Sequence, residues 1–242
     1  MTGLRETQSC HPDLNTDALI RRLFSFRKSP VQTGGGDAPL TWGLSLPKAR
    51  NSLHYTEMTI QLFADFKELI VIEIPITTKR LIIRPFESKD LEQFLRFMLD
   101  DDSTRFLTFD EEQKTRPGAT ALFKYVIQAY ASPEPIHSYA IAELETGEYV
   151  GSCGYAPYEE GIVECYYCVN AEHRGMGIAT EAAQALIQAL ASSTDFREIR
   201  AYCHPDNTAA HDVALKSGMT ARGMAMHKDF GRENQLFVRV AS

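Results

Sequence analysis

The stretch from Val163 to Leu190 constrains this chain more than any other. Val163–Val169 is dense in β-branched and aromatic residues and reads as a strand. Asn170–His173 is polar and turn-like. Arg174, Gly175, Met176, Gly177, Ile178 and Ala179 then open a helix. Its apolar residues Ile178, Ala182, Ala185, Leu186, Ala189 and Leu190 share one face. A strand, a glycine turn and a helix start make an anion site. The first N–H groups of a helix have no internal partner, and the helix dipole favours negative charge there. Gly175 and Gly177 remove the Cβ atoms that would hold a phosphate away from the backbone. Two common anion turns do not fit. A P-loop needs Gly-Lys-Ser/Thr, but Ile178 follows Gly177. The dinucleotide fingerprint needs a third glycine or alanine where Thr180 stands.

Composition sets outer bounds. A chain of 242 residues, 44% hydrophobic and 24% charged, allows one globular domain with extensions or two small ones. A net charge of −7 argues against general attraction to nucleic acid. No run approaches the roughly 20 apolar residues of a membrane span, and the first residues lack an apolar signal core. The five cysteines, Cys10, Cys153, Cys165, Cys168 and Cys203, are odd in number and scattered, which suits a reducing cytoplasm. Cys165 and Cys168 have a zinc-like spacing, but on a strand they point to opposite faces. No second Cys/His pair matches them, so packed thiols are favoured over a metal site.

Residues 1–57 differ from the rest, with Pro12, Pro30, Pro39, Pro47 and the run Gly34–Gly36. Asp17–Phe26 could form one short amphipathic helix. The segment reads as a mobile extension or a weakly docked element, or translation begins at Met58 and residues 58–242 form the domain. Trp42 either anchors it or is incidental. Strands are expected at Glu68–Ile74, Thr78–Phe86, Ser138–Leu144, Tyr149–Tyr155 and Glu198–His204, with a last hairpin of Ala225–Asp229 and Leu236–Val240 around Gly231. Helices are expected from Ser88, as N-cap, to Asp100–Asp102, over Thr115–Ala131, and over Thr208–Lys216 with Gly218 as C-cap. The strand at Glu198 must run parallel to Val163–Val169, because a helix crosses between them.

Arg174-x-x-Gly177-x-Ala179, after a strand ending at Val169, resembles the pyrophosphate loop of the GCN5-related N-acetyltransferases. The wider run is most similar to the branch that acetylates ribosomal-protein N-termini. Asn207, Ala210 and Gly218 match a second block of that family, with Met219 in place of its Phe, so the resemblance spans residues 78–242. It implies an α/β (α+β) fold with a mixed, mostly antiparallel central sheet, helices on both faces and a splayed parallel strand pair. It also implies acetyl-CoA as cosubstrate, with the pantetheine arm in the splay and backbone of Tyr167, Cys168 and Val169 beside the thioester. Arg174, Gly175, Met176, Gly177, Ile178 and Ala179 would hold the pyrophosphate. Asn207 would reach the pantetheine or simply cap its helix.

Acetyl transfer needs a neutral amine, a polarised carbonyl and substrates held in line. Glu164 is the candidate base for the amine proton, or else a structural carboxylate at a strand edge. Many relatives supply an acid for the thiolate from a Tyr, where this chain has Ala214, and some carry a serine where it has Ala210. His204, Tyr202 and His211 are the available substitutes. Asp100, Asp101, Asp102, Asp110, Glu111 and Glu112 could draw in a cationic acceptor or form a solvated acidic face. Phe106, Phe109 and Tyr130 could wall a pocket or pack. The implied activity is acetyl transfer to a primary amine, on a small molecule or a protein N-terminus. The contrasting reading is a non-catalytic acyl-CoA-binding module. No metal, nucleic acid or membrane partner is expected, and the chain would be a monomer or homodimer.

Overall fold

The computed structural model describes residues 72–132, 135–193 and 196–241. The expected segment 1–57, its boundary at Met58 and Glu68–Val71 of the first expected strand lie outside them. In order come β1 (Ile76–Thr77), β2 (Leu81–Arg84), α1 (Leu91–Met98), α2 (Asp101–Thr104) and α3 (Arg116–Ala129). Then follow β3 (Ser138–Glu143), β4 (Tyr149–Glu159), β5 (Ile162–Val169), α4 (Ile178–Ala191) and β6 (Glu198–Cys203). α5 (Thr208–Lys216), β7 (Thr220–Met226) and β8 (Glu233–Val240) complete the described chain.

The strands form an 8-stranded sheet in the order β1-β2-β3-β4-β5-β6-β8-β7. Every pairing is antiparallel except β5 with β6, where α4 makes the crossover. This is the mixed, mostly antiparallel sheet that the motifs implied. Side chains alternate along β5 and so face two layers. On one side, α1 and α3 cover an aromatic core that includes Phe86, Phe94, Phe97, Phe123 and Tyr149. On the other, α4 buries Ile178, Ala182, Ala183, Leu186, Ile187 and Leu190, with α5 beside it. No helix among the described residues is long and apolar enough to cross a membrane.

Four local expectations change. Ile72–Ile74 is not strand, and pairing starts at Ile76, because Pro75 has no N–H to give a ladder. Ser88 is not the N-cap: Ser88–Asp90 is a 3₁₀ turn behind Glu87, whose N–H donates to Asp90 Oδ2 at 2.8 Å. Asp100 does not end a helix but caps α2, its Oδ2 accepting from the Ser103 N–H at 3.1 Å. The last hairpin begins earlier, at Thr220. β7 is an exposed edge strand with a register shift between Ala221 and Gly223, so it shows no clean alternation.

Candidate active site

β5 and β6 pair at only three positions, Ile162–Glu198, Val163–Ile199 and Glu164–Arg200. Beyond Glu164 the two strands part. β6 continues against β8 as far as Cys203–Gln235, and β5 continues against β4 as far as Val169–Gly151. The edge of Cys165–Val169 that faces β6 therefore has no strand partner. Tyr167 bridges the opening, its hydroxyl donating to the Ala210 carbonyl of α5 at 2.9 Å.

A groove of about 1110 Å³ runs from this opening along α4. Val169, Gly175, Gly177, Ile178 and Ala179 line it on one side and Ala209, Val213 and Ser217 on the other. Gly175 and Gly177 sit at φ 74° and 75°, where a side chain is strained. Among the described residues, a Cβ on Gly175 would meet nothing within 4 Å, and one on Gly177 only Arg80 Nη2 at 3.6 Å. No side chain among the described residues caps α4, so its first N–H groups suit an anion. Lys79, Arg80, Lys216 and Arg239 also line the groove, against Glu181 and Asp212.

Arg80 was not singled out from the sequence, because its neighbours are far along the chain. Its Nε lies 2.7 Å from Glu181 Oε2, its N–H donates to Oε1 at 2.9 Å, and Nη1 donates to the Met176 carbonyl at 3.1 Å. Thr78 Oγ1 donates to Glu181 at 2.7 Å. Burial alone would raise the Glu181 pKa, but these hydrogen bonds and the Arg80 charge hold it below the usual range.

The side chains of other expected site residues do not line the groove. Met176 is exposed. The Arg174 side chain reaches Asp102 Oδ2 and Ser103 Oγ, each at 2.5 Å. Asn207 caps α5, its Oδ1 accepting from the Ala210 N–H at 3.2 Å. Cys168 faces the opposite layer, where burial pushes its thiol up to about 12.

That layer holds a second, smaller pocket of about 170 Å³, between β5 and the α1–α3 layer. Glu164, Tyr166 and Cys168 line it, as alternate residues of one strand. Glu164 Oε2 lies 3.0 Å from Nε2 of His227, which is fully buried in the β7–β8 loop. The Asp229 N–H donates to His227 Nδ1 at 3.2 Å, so Nε2 carries the ring proton and donates it to Glu164. Phe230 stacks on the imidazole at 4.3 Å, and Tyr202 and Tyr158 meet it edge-on at 4.7 and 5.3 Å. His227 also escaped sequence reading. Of the three substitutes for an acid, Tyr202 and His204 line this pocket, whereas His211 is bonded to the His204 carbonyl at 3.0 Å.

Phe106 and Phe109 wall the pocket as well, with Phe106 stacked on His204 at 4.9 Å. Tyr130 instead accepts from the Phe86 N–H at 3.1 Å and donates to the Ser138 carbonyl. In the acidic loop Asp102 also meets Arg105 at 3.1 Å, and Glu111 pairs with Lys114. Among the described residues, no three His, Cys, Asp or Glu side chains cluster to hold a metal.

The family model described as "Acetyltransferase (GNAT) domain" matches residues 80–220, more than half of the chain. The uncharacterized N-acetyltransferase p20 of Bacillus licheniformis is 27% identical over 158 residues, covering 63% of this chain and 85% of that protein. The ribosomal-protein-serine acetyltransferase of Escherichia coli (strain K12) is 34% identical over 67 residues, covering 28% of this chain and 37% of that one. The crystal structure of an acetyltransferase (GNAT family) from Bacillus anthracis superposes with a TM-score of 0.59 at 22% identity, covering 69% of this chain and 99% of that one. Splay, glycine turn and family match agree: this chain belongs to the GNAT family and is an acetyl-CoA-dependent N-acetyltransferase.

Proposed function

We propose that the acceptor is a primary amine, on a protein N-terminus or a small molecule, which attacks the acetyl thioester directly within a ternary complex. The observation that carries this reading is the place of Glu164. It is the last β5 residue paired with β6, so it stands where the strands part, and its side chain faces the second pocket. The glycine turn, the start of α4 and the cations Lys79, Arg80, Lys216 and Arg239 suit the phosphates of the cosubstrate.

In this reading Glu164 takes the proton of the incoming ammonium, directly or through water. The amine nitrogen bonds to the carbonyl carbon, and the carbon–sulfur bond breaks. Backbone N–H groups of the unpaired edge of β5 offset the charge on the oxygen. The methyl side chain of Ala214 has no proton to give, so α5 offers no acid at that position, and solvent protonates the departing thiolate. A protein N-terminus as acceptor draws support from the similarity to the Escherichia coli ribosomal-protein-serine acetyltransferase.

The test is a steady-state assay of free-thiol release from acetyl-CoA over a panel of primary amines. Amine-dependent release, with intersecting double-reciprocal lines, is expected. Parallel lines would indicate an acetyl-enzyme. No release with any primary amine, despite tight acetyl-CoA binding, would rule out this acceptor class.

A further inference from the structure

The second pocket has two unlike ends. One carries Glu164 and His227, with Phe230 stacked on the imidazole, and the rest is largely apolar, with Phe94, Phe97, Phe106, Phe109 and Phe123 among its walls. Its volume is about 170 Å³. A cavity of about 150 Å³ lined by Leu, Ile and Phe is large enough to hold a benzene ring. Apart from its histidines, the charged side chains that line it are Glu164 and Arg232, so it offers a single carboxylate to a cation. Arg232 lines the pocket, whereas Asp100 and Asp102 do not. Those two carboxylates are engaged by Ser103, Arg105 and Arg174.

We propose that the acceptor bears one apolar group of about phenyl size a few bonds from its primary amine. The apolar group fills the aromatic part of the pocket and the amine reaches Glu164. This rests on the reading of Glu164 and the second pocket given above. A carboxylate beside an aromatic chamber complements one cation joined to one hydrophobic body. The same chemistry occurs in a free arylalkylamine and in a peptide beginning with Phe.

The experiment has two arms on the full chain. In the first, kcat/KM is measured with saturating acetyl-CoA for phenethylamine, ethylamine and spermidine, and for short peptides beginning with Phe or Ser. Burying a phenyl-sized group should raise kcat/KM by at least about tenfold for phenethylamine over ethylamine, for the Phe peptide over the Ser peptide, or for both. The pair that shows the larger ratio identifies the source. In the second arm, the same amines are added with saturating CoA, which carries no acetyl group, and the melting temperature is followed. Phenethylamine or the Phe peptide should raise it more than spermidine does. A rise without turnover would show that the pocket binds an amine of this shape and would overturn its role as acceptor. Faster turnover of spermidine than of phenethylamine and the Phe peptide, or no preference within either pair, would overturn the proposal.

Discussion

His227 Nε2 lies 3.0 Å from Glu164 Oε2, which ties the β7–β8 loop to the residue where β5 and β6 separate. The imidazole is fully buried among Phe230, Tyr202 and Tyr158. It has little freedom, and so it fixes where the carboxylate points. His227→Phe keeps an aromatic ring but removes the donor. A hydrogen bond to a charged group is worth about 1.5–3 kcal/mol, so kcat should fall about tenfold to a hundredfold. His227→Gln, which retains an N–H donor, should recover part of the loss. Equal activity of wild type and both variants would make the contact incidental.

Gly177→Val should abolish acetyl-CoA binding while the domain stays folded. At φ 75° a β-branched residue costs about 1–2 kcal/mol, which a folded domain can bear. The space a side chain would take is the groove itself, since only Arg80 stands near it. Calorimetric titration with acetyl-CoA, beside a melting curve, checks this. Normal affinity in the variant would remove the glycine turn from the phosphate site.

Arg174→Ala should act on the acceptor side more than on the cosubstrate. Its guanidinium contacts Asp102 and Ser103, in the α2 segment that leads to Phe106 and Phe109. The pair is exposed, so acetyl-CoA affinity should change by no more than about threefold. The KM for the amine should rise more than that. A large loss of acetyl-CoA affinity with an unchanged amine KM would contradict this and make Arg174 a phosphate ligand.

Acid should weaken the fold through His137. Burial lowers its pKa to about 4, from an ordinary value near 6.5. The unfolded chain therefore binds the proton first. Stability is full above pH 6.5 and is lost as pH falls toward 4. Between pH 7 and pH 5 this one group accounts for about 2 kcal/mol. Urea unfolding of wild type and His137→Phe at both pH values isolates it: the variant should lose less stability on acidification. Parallel losses would show that His137 is not the sensitive group.

The fold was most legible where its chemistry lies in consecutive residues. β5, the glycine turn and α4 are contiguous, and each has a composition and spacing of its own. The parallel run of β6 followed from the crossover alone. β7 was read late, because an exposed edge strand with a bulge at Gly223 buries no alternating face. The partners of the site were hidden for a different reason. Arg80 meets Glu181 across 101 residues, and His227 meets Glu164 across 63. Such pairs are set by the order of strands in the sheet, not by spacing in the chain. For Phe106, Phe109 and Tyr130 the sequence leaves wall and packing roles open: the first two line the pocket, and Tyr130 bridges Phe86 and Ser138.

The central claim is that Glu164 takes the proton from the attacking amine. The most direct measurement is single-turnover acetyl transfer by Glu164→Gln, with acetyl-CoA affinity measured on the same preparation. Glutamine keeps the shape and can still pair with His227, so the pocket should stay intact, but the amide cannot accept the proton. The account expects the transfer rate to fall by about a hundredfold to ten-thousandfold, with acetyl-CoA affinity nearly unchanged. Transfer at the wild-type rate, on the same amine and below that amine's pKa, would contradict it and leave Glu164 a structural carboxylate.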